Sequence, residues 1–269
     1  MAVRRHRERA HDEIDHSPGR STLADSMTLA LQTHTRSAQN QGPQIRYVWD
    51  DWNVEAIEQP FDRKLYRRLR RLAYRATTAF TIANAEWVVS RYVTMLDDVT
   101  PLDYLEAVWA QTIDPLYGQE WDPLDAGWNG PVMGPIRQAL MWAGNAVENT
   151  DEYVDSHDNA AAVVNIARHV LVDATAYEAW ADAVLRRLEA LYPLNKDDKQ
   201  GDVVPREVFD PRFNFDQEMT ETLLNEYLAA LDPGRNPLLR PAEEMLAEGF
   251  EGTPYVFSMA DDRRKRDEW

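Results

Sequence analysis

The chain has 269 residues, 44% of them hydrophobic, with nine Trp, no Cys and a formal charge of −17, from 29 Lys and Arg against 46 Asp and Glu. Without a thiol there is no disulfide, no thiolate-held zinc or iron–sulfur cluster and no cysteine nucleophile. The charge disfavours nucleic acid and anionic lipid unless a basic patch is segregated on the surface, and it favours cationic partners.

Residues up to about 45 are polar and contain no Phe, Trp or Tyr, so 1–45 is expected to be a flexible tail and 46–269 a helical domain. Within that tail Ser21 to Gln32 has one short helical pattern through Leu23, Met27, Ala30 and Leu31. The tail begins Met1-Ala2-Val3-Arg4-Arg5, unlike a secretory signal, and no later run approaches the roughly 20 apolar residues that cross a bilayer. The expectation is a cytoplasmic protein with no membrane contact.

The body opens with Tyr47-Val48-Trp49-Asp50-Asp51-Trp52, aromatic and acidic. From Phe61 to Leu96 the positions Leu65, Leu69, Leu72, Ala76, Phe80, Ala83 and Trp87 repeat every three or four residues, the period of one helical face. Its first part carries Lys64, Arg67, Arg68, Arg70, Arg71 and Arg75, a basic run expected to pair with the acidic stretch between Tyr92 and Ala167, within the chain or between subunits. Its second part is apolar all round. Thr100-Pro101-Leu102-Asp103 reads as a capped helix start. Prolines and glycines make 115–134 an ordered loop, and Pro135 is expected to open the next helix.

Asp158 to Tyr192 is the second long pattern, ended by Pro193. The rings of Phe209, Phe213 and Phe215 are expected to pin a connector to the body. Asp216 caps a further helix, and a short one runs from Pro241 to Gly249. A small β element near 203–213 or 253–258 is compatible with the pattern. Arg263-Arg264-Lys265-Arg266, flanked by acids, reads as a zwitterionic, frayed end. The fold class expected is all-α, a single multi-helix domain with two long central helices behind a flexible N-terminal tail.

Several residues carry potential chemistry. Glu86 lies among Ile82, Ala83 and Val89, where burial raises a carboxyl pKa unless a cation pairs with it, and Arg91 faces elsewhere. Asn165, His169 and Asp173 share a helical stripe. Glu13 and His16 have a spacing used in di-iron bundles, but that site needs two such motifs on core helices. Glu120 to Asp125 lacks the alternating ligands of a calcium loop. Gly130 to Pro135 lacks the glycine pattern and lysine of a phosphate loop. No catalytic, cofactor-binding or metal residues are assigned, and no cofactor is expected.

The acidic excess is concentrated, with 13 acids and one base between Tyr92 and Ala167. Clustered carboxylates imitate phosphate spacing and steer a cationic protein, while loop tryptophans anchor it. The expected partner-binding residues are Asp97, Asp98, Glu120, Trp121, Asp122, Asp125 and Trp128. The function expected is a non-enzymatic acidic binding protein, in concrete form an inhibitor or immunity-type protein for a cationic intracellular bacterial toxin. The alternatives are a helical-bundle enzyme using Glu86 or the His169 stripe, and a structural subunit of a larger assembly.

Overall fold

A computed structural model describes residues 33–59, 62–148 and 156–267. Among the described residues it is all-α and forms one compact helical domain without strands, as the periodicity predicts. The pattern from Ser21 to Gln32 and the Glu13–His16 pair lie outside the described residues.

The helices are α1 (Arg36–Gln39), α2 (Glu55–Glu58), α3 (Arg63–Leu69), α4 (Tyr74–Tyr92), α5 (Thr100–Gln111), α6 (Gly130–Glu148), α7 (Ser156–Val170), α8 (Thr175–Leu191), α9 (Thr220–Ala230), α10 (Ala242–Ala247) and α11 (Met259–Asp267). Helix α4 is the axis, packed chiefly against α7 and α6. Every residue from Ala76 to Tyr92 is buried, in keeping with its apolar second half. Most of its polar side chains are accommodated because they find partners inside, Ser90 Oγ and Trp87 Nε1 being exceptions. The Thr78 hydroxyl donates to Ala146 O at 3.0 Å, Thr81 to Thr77 O at 2.9 Å, and the Tyr177 hydroxyl to Asn84 Oδ1 at 2.6 Å.

Both long patterns supply central helices, but each is broken once. Between α3 and α4 the backbone leaves the helix to bond the end of α8: Ala73 N–H donates to Tyr192 O at 3.0 Å and Leu194 N–H to Arg71 O at 2.7 Å. Between α7 and α8 the side chain of Gln41 bridges the break, donating to Asp173 O and accepting from Val172 N–H, both at 2.7 Å. Asp173 then caps α8 through Thr175 N–H at 2.8 Å.

That bridge revises the expected tail. Residues 33–45 belong to the body: Thr35 and Ala38 are fully buried, and Arg91 donates to Gly42 O and Gln44 O. The segment is held by buried polar contacts and small side chains, which a search for aromatic residues overlooks. The expected β element is absent among the described residues; 206–209 is a 3₁₀ turn, and the only pairings are single bridges, Leu72 with Pro193 and Gly118 with Leu239. Phe209 is buried, but the connector is also clamped by Arg187, which donates to the carbonyls of Val208, Asp210, Pro211 and Phe213.

Three local expectations also change. Helix α6 starts at Gly130, not at Pro135, which lies inside it. Lacking an N–H, Pro135 leaves Pro131 O without its helical donor, and the Tyr47 hydroxyl donates to that carbonyl instead. The start of α5 is capped not by Thr100 but by Asp98, whose carboxylate accepts from Thr100 N–H at 2.9 Å and Oγ1–H at 2.7 Å. The expected frayed end is helix α11, tied down by ion pairs across the fold.

Candidate binding surface and buried polar centre

The acidic surface is built from the start of α5, the 118–129 loop and the Tyr47–Trp52 segment. Asp51 fastens the Tyr47–Trp52 segment to the end of the loop: its Oδ2 accepts from Gly130 N–H at 2.8 Å at the α6 N-terminus, and its Oδ1 accepts from Trp49 Nε1–H at 2.9 Å. Gly134 is required there, because a Cβ at that position would collide with the Trp49 ring and with Asp51 Oδ1. Arg137 completes the junction, 3.6 Å from Asp51 and hydrogen-bonded to Asn129.

On this frame Asp97, Asp98, Glu120, Asp122 and Asp125 are all exposed, and no cationic side chain of the described residues lies within ion-pair distance of them. Asp98 and Asp122 have local duties as well, Asp122 accepting from Leu124 N–H at 2.8 Å. Other acids of the stretch are used internally. Glu106 pairs with Arg235 at 2.8 Å and Asp114 with Lys265 at 3.2 Å. Asp103 is buried beside Glu106 and Asp98, and its carboxyl is pushed up to about 6, chiefly by burial.

Trp121 and Trp128 do not project. Their rings pack on each other with centroids 5.5 Å apart, and Trp121 sits 4.9 Å from Tyr104 of α5, so both are half-buried. They connect the loop to α5, whose first turn Asp98 caps. The tryptophan that does project is Trp52, 97% exposed, with Val48 at 82% and Leu124 at 49%. Trp52 directly follows Asp51, which holds the α6 N-terminus two residues beyond Trp128.

A second centre lies in the core. Glu86 is fully buried; its Oε1 accepts from Trp109 Nε1–H at 2.9 Å and is paired with Arg206, whose guanidinium lies over the Trp109 and Tyr227 rings. The unexpected member is His34. Its ring is stacked on Trp180 with centroids 5.0 Å apart, and its Nε2 is 3.7 Å from Glu86 Oε2. Neither ring nitrogen has a hydrogen-bond partner. Burial, and then the Arg206 charge, lower its pKa to about 3, so the imidazole is neutral at pH 7. A lone histidine in a polar segment gives no sequence signal for this place.

The His169 stripe does not converge. Asn165 donates to Glu58 O at 2.8 Å, His169 donates through Nε2 to Val48 O at 2.8 Å beneath the Tyr47 ring, and Asp173 caps α8. The three side chains serve three separate junctions. The basic run is redirected among the described residues: Arg68 pairs with Asp182 at 2.7 Å and Glu189 at 2.8 Å of α8, and Arg75 with Asp262 at 2.7 Å, all carboxylates outside the acidic stretch between Tyr92 and Ala167. Among the described residues no three His, Asp or Glu side chains form a metal-holding group, and no helix is long and apolar enough to cross a membrane.

One large cleft, about 1190 Å³, opens between the C-terminal end of α5, the N-terminal end of α4, the 197–200 loop and the 249–266 segment. No single stretch of sequence points to it, because its four walls come from distant parts of the chain. No protein-family model, curated protein or solved structure matches the chain.

Proposed function

We propose that the chain is a non-enzymatic binding protein that engages a cationic protein partner through the acidic face of Asp97, Asp98, Glu120, Asp122 and Asp125, with Trp52 as its aromatic anchor. The observation that carries this reading is five exposed carboxylates, with no cation of the described residues within ion-pair distance, and a nearly fully exposed tryptophan next to Asp51, which holds the far end of the same loop. A cluster of like charges repels itself and is relieved by a cationic counter-surface, and a tryptophan buried in the process supplies short-range affinity. In its concrete form the protein is an inhibitor or immunity-type protein that fills the phosphate-binding cleft of a toxin acting on nucleic acid. That step is an analogy of class.

Capture of a partner from lysate tests the surface. Binding should weaken at least tenfold between 50 and 300 mM salt, by screening. Since Asp98 and Asp122 also cap turns, the cleanest reversal is Asp97→Lys, Glu120→Lys and Asp125→Lys, with unchanged melting temperature and capture lost. Trp52→Ala should weaken capture at least tenfold. Full capture by the triple variant would refute the proposed face.

A further inference from the structure

One wall of the large cleft is helix α11, whose cations rest on carboxylates and an aromatic ring of the neighbouring walls. The Lys265 ammonium lies 5.2 Å from the Phe250 ring centroid and 3.2 Å from Asp114 Oδ2, so one cation is held between an aromatic face and a carboxylate. The next residue, Arg266, reaches Asp198 at 2.5 Å and Asp202 at 2.6 Å, and Arg263 reaches Asp202 at 3.3 Å. Helix α11 contributes no buried apolar side chain to this contact. From Met259 to Arg266 its one buried residue is Asp262, on Arg75 at 2.7 Å, and Asp262 Oδ2, although 3.2 Å from Arg266 Nε, receives no aligned hydrogen bond. The helix is therefore held chiefly by charge, with the partly buried Met259 at its start as its apolar contact with the core.

The segment that brings it there is conformationally unusual. Gly249 and Gly252 have φ of 93° and 110°, and Tyr255, a residue with a side chain, has φ of 62°. A non-glycine residue in that region stores about 1 kcal/mol or more and persists only while its surroundings hold it. Here they are the Tyr117 hydroxyl, which accepts from Tyr255 N–H at 3.1 Å, and Arg240 O, to which the Tyr255 hydroxyl donates at 2.7 Å. The strap is anchored at Tyr255 and turns on glycine at two points before it, while α11 beyond it is bound by ion pairs.

We infer that the carboxylate wall beneath α11 in this cleft is a binding site for a lysine- and arginine-rich peptide segment of a partner protein, and that α11, lying on that wall, is an internal surrogate for it. The carboxylates of Asp114, Asp198 and Asp202 and the Phe250 ring recognise a basic segment as they recognise Lys265 and Arg266. The affinity of an incoming peptide is reduced by the fraction of molecules in which α11 is docked. The inference concerns carboxylates other than the exposed face proposed above and stands independently of it.

A fluorescein-labelled hexa-arginine peptide, followed by anisotropy on the full chain, tests it. The variant R263S/R264S/K265S/R266S should bind at least tenfold more tightly than the wild type. A charge-matched control, R63S/K64S/R67S/R71S, leaves the cleft intact and should bind like the wild type. Adding D114N/D198N/D202N to the first variant should abolish the gain. Equal binding by the α11 variant and the control, or a gain that survives the Asp replacements, overturns the inference, even if the exposed face still captures its partner. Should a variant fail to fold, hydrogen exchange on the wild type decides: excess hexa-arginine should speed exchange of the 259–267 amides, and unchanged protection overturns the inference.

Discussion

His34 and Asp103 are both buried titratable groups, yet they bias stability in opposite directions with pH. His34 has a pKa lowered to about 3 by burial beside the Glu86–Arg206 pair, because Glu86 is already matched by Arg206 and a third charge would lack a counter-ion. The unfolded chain then binds the extra proton, so the stabilisation is complete above about 6.5 and is lost as pH falls toward 3. From pH 7 to pH 5 this removes about 2 kcal/mol. Urea unfolding should show that loss in the wild type and a flatter profile for His34→Phe, which keeps the stack on Trp180; parallel profiles would refute the assignment. Asp103 has its carboxyl raised to about 6, so its contribution is full below the ordinary carboxylate pKa and is lost as pH rises through about 6. Asp103→Asn should accordingly stabilise the protein by about 1–2 kcal/mol at pH 7 and change little at pH 3.5, as unfolding at the two pH values would show. Neither behaviour is legible in the sequence. Glu86 is different: its apolar helical neighbours announce a buried carboxylate, and only the identity of its partners has to come from the fold.

Most helices were foreseeable because their apolar positions repeat every three or four residues, and α4 was foreseeable even as a helix buried all round. The breaks after α3 and α7 were not. Neither Arg70–Ala73 nor Leu171–Ala174 contains proline or glycine, and the chain departs from the helix there because distant groups bond its backbone: Tyr192 O, Lys199 O and Gln41. Conversely, Pro135 looks like a helix start, but α6 continues through it because the Tyr47 hydroxyl serves the carbonyl it leaves free. Tertiary hydrogen bonds outweigh local propensity in all three cases. Gly134 is the most sensitive residue of this junction. Gly134→Ala should cost about 1–3 kcal/mol, since the added methyl displaces Trp49 and Asp51 and with them the cap on α6. Chemical denaturation should show the loss, together with faster hydrogen exchange confined at first to residues 47–52 and 130–134. Wild-type stability for this variant would mean that the junction yields easily.

For the molecule as a whole, composition revealed that charge is uneven but not which charges are spent internally. Glu106 and Asp114 are paired within the fold, whereas Asp97, Glu120 and Asp125 remain exposed with no cation of the described residues in range, and sequence spacing does not separate these groups. The expected anchors, Trp121 and Trp128, brace the loop, while the exposed Trp52 owes its position to Trp49 turning inward over Gly134. The cleft was hidden for the same reason, as its walls meet only in three dimensions. The docking of residues 33–45 has a consequence in time. During synthesis His34 emerges well before its platform: Trp180 and Arg206 follow roughly 150 residues later, and contacts so distant along the chain form slowly. Until then the segment has no seat, and the Trp180 face and the Glu86–Arg206 pair have no lid. Closure of the core against water is therefore a late event of folding, completed by a segment synthesised well before the residues it packs on.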